Sequence, residues 1–401
     1  MNVLFLSLSN FDSIKQRGIY SDLLRAFSKN GHSVYAISPL ERRLKRHTEI
    51  VQDDTATILR LRIGNIRKVS SKIEKGITTV LLGPLFKRGI KKYFSDIKFD
   101  IVLFTTPPIS LLQPVKYVKK ADHAFCYLML KDIFPQNSVD IGILNKKSIL
   151  YRYFRKKEKL FYRTADRIGC MSQANVDYVI KHNPEILPKK VEICPNCIEV
   201  QDLLLTEDEK VKMRQAYGIP TDKKVFVYGG NLGKPQGIPF IIDCLRLCKQ
   251  KEAFFLLIGD GTECGKLKSF VQNENPTNVK LMERLPRDDY DRMIASCDVG
   301  LIFLDHRFSI PNFPSRLLSY LQAGLPIFAC TDPNTDIGKV ITEGDFGWWC
   351  ESDRPDRFES AVNEIVNLDS LAQTGKRGLE YLRQHYTTEK AYQTIIKAVN
   401  E

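Results

Sequence analysis

The sequence predicts an α/β protein of two Rossmann-like, doubly wound domains that face a cleft. Short apolar runs alternate with helical patterns along both halves of the 401-residue chain, and strands separated by helices indicate a parallel sheet. The alternation restarts after the polar segment EVQDLLLTEDEK, so the junction is expected near residues 198–206. Because this length can bury two cores, we expect an N-terminal domain over 1–200 and a C-terminal domain over 201–380.

Six strand-like runs mark the expected N-terminal domain. They are NVLFLSLS (2–9), HSVYAIS (32–38), DIVLFTTPP (100–108), HAFCYLMLKD (123–132), RIGCMS (167–172) and VEICPN (191–196). Between the first two runs, Gly18 opens a helical pattern that ends at Gly31. Strand and helix therefore alternate from the first residues onward.

Five further runs mark the expected C-terminal domain. They are KVFVYGGNLG (224–233), AFFLLIGDG (253–261), VKLMERL (279–285), VGLIFLD (299–305) and PIFACT (326–331). Helical stretches such as IPFIIDCLRLCKQ separate them. We expect residues 381–401 to form a C-terminal helix that packs back toward the N-terminal domain.

Composition predicts a soluble globular protein, with 43% hydrophobic and 27% charged residues. The first apolar run is too short for a signal peptide, and no stretch approaches the ~20 apolar residues of a membrane span. Ten scattered cysteines are typical of core residues in a reducing compartment. Cys194 and Cys197 form the one close pair, and without a second pair we expect no metal there. These features predict a protein that is cytoplasmic or that lies on a membrane without crossing it.

Positive charge is concentrated in the first half of the chain. Residues 1–200 contain 35 Lys and Arg against 18 Asp and Glu, a net charge of +17, whereas residues 201–401 carry −4. The basic clusters are ERRLKRH (41–47), IRKVSSKIEKGI (66–77), FKRGIKKYF (86–94) and YRYFRKKEKLFYR (151–163). Basic residues interleaved with apolar ones suit an anionic membrane surface. Nucleic-acid binding and solvated helix faces are the alternatives.

Three loops at predicted strand ends carry the features of an anion site. Glycines in VYGGNLGKPQG and IGDGTECGKL allow close backbone approach to a ligand. In NFPSRLLSYLQAGLPI, Pro314 suits a first helical position, Asn312 or Ser315 can cap the helix, and Gly324 can end it. The free N–H groups at the helix start beside Arg316 are then a candidate phosphate-binding site. The alternative is an ordinary, well-capped helix. Together the loops predict a nucleotide diphosphate pocket.

Seven motifs in order give a family resemblance over nearly the whole chain. They are KDIFPQNSVDIGIL (131–144), ADRIGCMS (165–172), ICPNCIEV (193–200), YGGNLGKPQG (228–237), LIGDGTE (257–263), ASCDVGLIFL (295–304) and NFPSRLLSYLQAGLPI (312–327). The sequence resembles the GT-B glycosyltransferases of family 4, a retaining, metal-independent group. It is most similar to the branch that builds bacterial O-antigens and capsules from N-acetylated aminosugars.

This resemblance implies the substrates. The C-terminal domain would hold a UDP-sugar donor, and the basic N-terminal domain would bind a polyprenyl-diphosphate-linked saccharide acceptor at an anionic membrane surface. The protein would then be cytoplasmic and peripheral at the inner face of the cell membrane. No cofactor, metal or nucleic acid is implied. The positions that the resemblance assigns to the donor are Gly18, Gly230, Asn231, Gly233, Gln236, Asp260, Gly261, Arg284, Leu285, Asn312, Phe313, Pro314, Ser315 and Ser319.

Three residues receive catalytic roles from the same resemblance. Lys234 faces the donor diphosphate, and Arg316 neutralises the leaving UDP. Asp132, in the KDIFP loop, faces the transferred sugar or the acceptor hydroxyl, with a helix cap as the alternative role for this residue. Arg284 and Leu285 are expected to flank the base, and Gly18 is expected to be the turn that lets the first domain close on the donor.

The sequence departs from the family pattern at four positions. Pro311 and Ser319 stand where many members carry two glutamates, and Asn231 and Gln236 replace an Arg and a Lys. These changes motivate a second hypothesis, a non-catalytic sugar-nucleotide-binding relative or scaffold of a polysaccharide assembly complex. A GT-B-fold UDP-N-acetylglucosamine 2-epimerase is a further enzymatic alternative, and nucleic-acid binding rests on charge alone.

Overall fold

The computed structural model describes residues 1–53, 56–66, 72–369 and 371–401. Two compact units account for them: residues 1–199 with 387–401, and residues 200–386. Each unit is organised around its own sheet. The predicted α/β class with two largely parallel sheets is confirmed.

The first unit contains eight strands. Its elements are β1 (Asn2–Leu6), α1 (Ile19–Lys29), β2 (Ser33–Glu41), β3 (Glu49–Asp53), β4 (Ala56–Ile63), α2 (Lys72–Tyr93), β5 (Ile101–Thr106), α3 (Leu112–Asp122), β6 (Phe125–Leu130), α4 (Gln136–Asp140), α5 (Ile149–Thr164), β7 (Arg167–Cys170), α6 (Gln173–His182), β8 (Val191–Ile193) and α15 (Thr388–Asn400). The strand order is β3-β4-β2-β1-β5-β6-β7-β8, and only the β3–β4 pair is antiparallel.

Helices cover both faces of this sheet. On one face, Leu24 and Phe27 of α1 share a core with Tyr392 and Ile395 of α15. Leu103 of β5 belongs to the same core. Because neighbouring residues of a strand point to opposite faces, Phe104 points to the other face, where its ring packs against a phenylalanine of α5. On that second face, α3 packs against both α2 and α5. Parallel strands that are covered in this way read as continuous apolar runs, which is why most of them were predictable.

Strands β3 and β4 were not predicted from the sequence. In β4, apolar residues alternate with Arg60 and Arg62, a pattern that differs from the apolar runs of the central strands. Arg60 is held by ion pairs to Asp12 and Glu49. Part of the predicted basic cluster 66–77 lies outside the described residues.

The second unit contains six strands, all parallel. Its elements are α7 (Glu207–Ala216), β9 (Lys224–Asn231), α8 (Ile238–Leu247), β10 (Ala253–Asp260), α9 (Cys264–Glu274), β11 (Val279–Met282), α10 (Arg287–Ala295), β12 (Val299–Phe303), α11 (Arg316–Gln322), β13 (Ile327–Thr331), α12 (Ile337–Glu343), β14 (Gly347–Glu351), α13 (Pro355–Val366) and α14 (Leu371–His385). The strand order is β11-β10-β9-β12-β13-β14. The order runs outward in both directions from β9, and in such sheets ligands bind beyond the carboxyl ends of the strands.

The end of the chain differs from the continuous helix expected over 381–401. The α14 helix ends at His385, and α15 begins at Thr388. Thr387 caps α15, since its side chain accepts a hydrogen bond from the Lys390 N–H. The α15 helix packs against α1 and belongs to the first unit.

Two further features concern membranes and metals. Across residues 1–53, 56–66, 72–369 and 371–401, no helix has both the length and the apolar character of a membrane span. Within the same ranges, no cluster of three or more His, Cys, Asp and Glu side chains has a metal-binding arrangement. All ten cysteines are free thiols, and all but Cys264 are buried.

Candidate functional site

Two glycine-containing loops meet at the carboxyl edge of the second sheet. In the β9–β10 ladder, Gly230 lies opposite Gly259 and Asn231 opposite Asp260. Beyond the ladder, the Leu232 N–H donates to the Asp260 carbonyl at 2.8 Å. A Cβ on Gly261 would collide with the backbone of Leu232. The predicted loops therefore pack backbone against backbone, which requires glycine at this position.

The first of these loops is closed by a neutral hydrogen-bond network. Gln236 is buried, and its Oε1 accepts from Asn231 Nδ2 at 2.8 Å and from the Gly233 N–H at 3.2 Å. The Tyr228 hydroxyl donates to the Asn231 carbonyl at 2.7 Å. Asn231 and Gln236, which replace two cations of the family pattern, thus bind each other. Lys234 between them is exposed.

Arg316, the first residue of α11, supplies a cation next to this loop. Its guanidinium carbon lies 4.1 Å from the centre of the Tyr228 ring, a cation–π contact. A Cβ on Gly230 would lie 3.2 Å from Arg316 Nη2, and Gly230 has a φ of 137°, so a side chain there would be both strained and crowded. Arg316 Nη1 is buried, and none of the residues that the structure describes forms a hydrogen bond with it. A buried donor of this kind is costly unless a ligand accepts from it.

Three tyrosines surround the Arg316 guanidinium. The Tyr320 hydroxyl accepts from the Gly229 N–H at 2.9 Å, just beyond the point where the β9–β12 ladder ends at Val227 and Gly300. The Tyr290 ring occupies the space that a Cβ on Gly229 would take. Burial raises the pKa of the Tyr290 hydroxyl to about 12, so the hydroxyl stays neutral at physiological pH.

Arg316 itself keeps its charge. Burial acts to lower the pKa of the guanidinium, but the oxygens of the three tyrosines outweigh burial, and the pKa rises above its ordinary value. A cation held in a partly dry, aromatic setting interacts more strongly with an anion than one in water. At the carboxyl edge of the second sheet, Arg316 therefore supplies a fixed positive charge and, through Nη1, a donor that a ligand can use.

The start of α11 differs from the predicted one, in which Pro314 was the first helical residue and a side chain capped the helix. Pro314 and Ser315 precede the helix, which begins at Arg316 and has seven residues. No side chain caps it, because Ser315 already has helical backbone angles. The Leu317 and Leu318 N–H groups donate to the Pro314 and Ser315 carbonyls. Those two N–H groups are therefore not open to phosphate, so the positive character of this segment rests on the Arg316 side chain.

Asn312 and Phe313 lie in the loop that leads into α11. Asn312 Nδ2 is a second buried donor for which the described residues provide no acceptor, while the Asn312 backbone carbonyl accepts from the Thr335 hydroxyl. Phe313 packs against Tyr386, with ring centres 6.1 Å apart. The loop is thus anchored on both sides, and two unpaired donors occur within five residues of sequence.

Asp132 follows β6 at the carboxyl edge of the first sheet. Its Oδ2 accepts from Asn137 Nδ2 at 2.7 Å, and its Oδ1 is buried and accepts no hydrogen bond within the described part of the chain. Burial raises the pKa of the carboxyl to about 6, although the hydrogen bond from Asn137 acts to lower it. The next helix, α4, is preceded by Pro135, so Asp132 is not its cap. A carboxylate of this pKa is suited to proton transfer near neutral pH.

The remaining predicted positions have simpler surroundings. Gly18 precedes α1 in extended backbone, and its N–H donates to Asp22 Oδ1 at 2.9 Å. Arg284 is exposed and Leu285 half-buried in the segment after β11. Ser319 lies half-buried on α11. The second unit thus brings together the loops at 230–236, 260–261 and 312–316, whereas Gly18 and Asp132 belong to the first unit.

The three tyrosines and Asn137 were not among the predicted site residues. Tyr228 ends the apolar run directly before the glycines, and Tyr320 stands one helical turn after Arg316, so both had a local signal. No local pattern marked Tyr290, because this residue of α10 reaches Gly229 of β9 only through the tertiary fold. Asn137 lay within a quoted motif, five residues after Asp132.

Two units that are each built around a largely parallel sheet, the second with glycine-containing loops and an arginine at its carboxyl edge, are typical of the GT-B class. Family models agree over most of the chain: that of glycosyltransferase family 4 matches residues 20–202, and that of the glycosyl transferases group 1 matches residues 209–380. The chain belongs to the GT-B glycosyltransferases of the family 4 type, and it is a glycosyltransferase.

Named relatives agree with this assignment. The probable glycosyltransferase WbjE of Pseudomonas aeruginosa is 28% identical over 316 residues, which cover 76% of this chain and 78% of the relative. The putative colanic acid biosynthesis glycosyl transferase WcaI of Escherichia coli is 22% identical over 249 residues, which cover 61% of this chain and 60% of the relative.

Solved structures share the fold over nearly the whole chain. Sucrose-phosphate synthase from Thermosynechococcus elongatus has a TM-score of 0.74 at 14% identity and covers 99% of this chain and 97% of its own. Anabaena HepE in complex with UDP has a TM-score of 0.69 at 14% identity and covers 100% of both chains. At these identities the likeness extends to the fold alone.

Proposed function

We propose that the protein is a retaining transferase that moves an N-acetylated aminosugar from UDP to a lipid-linked saccharide during surface polysaccharide biosynthesis. The observation that carries this proposal is the buried, unpaired Nη1 of Arg316, held beside the glycine loop of the second sheet. The name of WcaI, a putative colanic acid biosynthesis glycosyl transferase, supports the polysaccharide context. HepE, which shares the fold, has been solved with UDP, which supports the choice of nucleotide.

The second unit binds the donor in this proposal. Arg316 Nη1 donates to a diphosphate oxygen, and Asn312 Nδ2 is the second unpaired donor of the same segment. Gly230 leaves room for the diphosphate to approach the backbone, and exposed Lys234 adds charge at the rim. Charge-assisted hydrogen bonds of this type are about twice as strong as neutral ones.

The cationic side chains then stabilise the leaving group during transfer. During transfer the bond between the anomeric carbon and the diphosphate oxygen breaks, and UDP leaves with the electron pair. Negative charge grows on that oxygen, and a preorganised guanidinium stabilises it without further rearrangement. Because Arg316 and Lys234 provide this charge, we propose that transfer requires no divalent metal.

The first unit binds the acceptor. A bond forms between the anomeric carbon and an acceptor hydroxyl oxygen, and that hydroxyl must lose its proton. We assign the proton to Asp132 Oδ1, which accepts no hydrogen bond from the described residues, while Asn137 holds the other oxygen in place. A carboxyl with a pKa of about 6 is ionised at pH 7 and can accept the proton. The acceptor is a polyprenyl diphosphate saccharide at an anionic membrane surface.

Donor and acceptor can be tested separately. Calorimetric titration with UDP, GDP and dTDP should give binding to UDP alone, in EDTA as well as in Mg²⁺. A panel of UDP-sugars, each with a polyprenyl-diphosphate saccharide, should then give product from one N-acetylaminosugar donor. Binding of another nucleotide would overturn the UDP assignment, and transfer that stops in EDTA would overturn metal independence.

The second candidate is a non-catalytic relative that binds the sugar nucleotide. The loss of both glutamates, at Pro311 and Ser319, and the neutral Asn231–Gln236 pair favour it. The two candidates differ in one readout, since a scaffold binds UDP but releases no UDP from a UDP-sugar with any acceptor. The transferase turns over, and Asp132→Asn should abolish turnover while UDP affinity stays unchanged.

A further inference from the structure

An unpaired buried cation also lies at the carboxyl edge of the first sheet. Lys131 follows the last residue of β6 and directly precedes Asp132. Its Nζ is buried, and none of the described residues, the adjacent Asp132 included, accepts a hydrogen bond from it. An ammonium taken out of water is costly unless a negative group accompanies it. The first unit therefore has an unused cationic donor at the edge where parallel sheets bind ligands.

The surroundings of the Lys131 ammonium are thiols. Strand neighbours alternate, so Lys131 points to the same face as Met129, whose core includes Cys194 and Cys197. Burial lowers the pKa of Lys131, although these two thiols and that of Cys170 act to raise it. Burial also raises the pKa of all three thiols, so they stay neutral at physiological pH and supply no full counter-charge.

Two carboxylates that act on the same thiols are held by other partners. Glu192 accepts from the Tyr127 hydroxyl at 2.7 Å. One oxygen of Asp22 pairs with Arg25 at 2.6 Å, and the other oxygen accepts from a backbone N–H at 3.1 Å. Neither carboxylate forms a hydrogen bond with Lys131. The site is thus prepared for the negative charge of a ligand.

A second polar atom without a partner belongs to the neighbouring segment, residues 194–197. Asn196 stands between the two cysteines beside Lys131, and its Oδ1 is buried and accepts no hydrogen bond from any described residue. The segment is fixed to the sheet, because the Cys194 N–H donates to the Cys170 carbonyl at 2.7 Å. An unused donor and an unused acceptor at one corner of the sheet suit a saccharide, whose hydroxyl groups both donate and accept.

We propose that Lys131 and Asn196 form a binding site for the acceptor saccharide, in which Lys131 Nζ donates to an anionic substituent of the acceptor and Asn196 Oδ1 accepts from one of its hydroxyl groups. The anion is either the diphosphate that carries the saccharide or a carboxylate of the sugar itself. Both present the negatively charged oxygen that a buried ammonium binds most strongly.

The inference rests on the proposed function in which the first unit binds a saccharide acceptor. It adds a property of that acceptor. Because Lys131 and Asp132 are adjacent in the chain, the negative charge of the acceptor lies close to the hydroxyl group that Asp132 deprotonates. A neutral saccharide without such a charge leaves the ammonium unpaired and is bound more weakly.

The test is calorimetric titration of the full chain with three soluble alkyl-linked saccharides of similar size. The first carries a diphosphate, the second is a uronic acid glycoside, and the third is a neutral glycoside. The parent should bind at least one of the anionic ligands about tenfold more tightly than the neutral one. Lys131→Met should lose this preference and bind the neutral ligand like the parent. The matched control is Lys120→Met, which removes an exposed lysine from the end of α3 and should keep the preference.

A second variant and a stability measurement separate ligand binding from a structural role. Asn196→Ala should weaken all three ligands by a similar factor, because the hydroxyl groups are common to them. Lys131→Met should unfold at a urea concentration no lower than that of the parent, since methionine fills similar space without an unpaired ammonium. A purely structural lysine would instead lower the urea midpoint on substitution and leave the ligand preference unchanged.

The outcomes distinguish this inference from the proposed function. Equal affinity of the parent for the charged and the neutral ligands would overturn it, as would a preference that survives in Lys131→Met. Asn196→Ala with the affinities of the parent would remove Asn196 from the site. UDP titration of Lys131→Met should match the parent, and a parent that failed to bind UDP would count against the proposed function and not against this site.

Discussion

Arg316 stacks on the ring of Tyr228, 4.1 Å from its centre, and leaves Nη1 buried without a partner. The cation is therefore held in place before any ligand arrives. Preorganisation of this kind lowers the cost of ordering side chains on binding.

We expect Arg316→Ala to weaken UDP binding about 10- to 100-fold, because a charge-assisted hydrogen bond contributes roughly 1.5–3 kcal/mol. The free energy of unfolding should change by less than about 1 kcal/mol, since the lost cation–π contact is offset by removal of an unpaired donor. Isothermal titration and urea unfolding measure the two quantities. Arg354→Ala, which removes an exposed Arg that pairs with Asp356, is the control, and equal UDP affinity in both variants would exclude Arg316 from the donor site.

Gly230→Ala tests the space beside Arg316. The new methyl group would lie 3.2 Å from Nη2, at a backbone φ of 137°, so UDP affinity and stability should both fall, the latter by about 1–3 kcal/mol. The matched control is Gly265→Ala on α9, where a Cβ has no atom within 4 Å and helix propensity predicts a small gain in stability. Gly230→Ala with the UDP affinity of the parent would show that the donor does not approach this backbone.

Gln236→Glu tests the effect of charge at this loop on UDP binding separately from the hydrogen bonds that close the loop. A carboxylate oxygen can still accept from Asn231 Nδ2 and the Gly233 N–H, so thermal stability should stay within a few degrees of the parent. Its negative charge near the diphosphate should weaken UDP binding several-fold at low salt, and salt should reduce the difference. Gln236→Ala should instead lower stability by about 1–3 kcal/mol, because it leaves a buried N–H without a partner. If Gln236→Glu bound UDP as tightly as the parent, the loop would not face the phosphates.

The pH dependence of transfer tests Asp132. If this carboxylate accepts the acceptor proton, kcat/KM should rise with pH through about 6, the raised pKa of the folded protein. Stability should change in the opposite direction: the folded state retains a proton that the unfolded chain loses near its lower pKa, so the contribution of Asp132 falls as pH rises from about 4 to about 6. Asp132→Asn should remove both effects and abolish turnover. A pH–rate profile that is unchanged in shape, with residual activity, would contradict the assignment.

Tyr320→Phe should destabilise the protein by about 1–3 kcal/mol, since it leaves the Gly229 N–H buried without an acceptor. UDP affinity should fall less than in Arg316→Ala. Urea unfolding and UDP titration of the same sample check both, and an unchanged free energy of unfolding would show that water replaces the hydroxyl.

The central strands were predictable because they are buried on both faces, whereas β3, β4 and β14 were not identified as strands. In β4, apolar residues alternate with arginines, and β14, at the sheet edge, is only partly buried. The local sequence pattern likewise predicted that the glycine loops lie at strand ends and that Arg316 lies at the start of a helix. It could not show that Leu317 and Leu318 N–H groups are already bonded, nor that Tyr290 packs against Gly229, because these contacts depend on the tertiary fold.

Titration of UDP into the parent protein and into Arg316→Ala, in EDTA, is the decisive measurement for the donor site. We expect saturable binding to the parent without metal, and affinity at least about tenfold lower in the folded variant. No UDP binding by the parent, or equal affinity in both proteins, would contradict it.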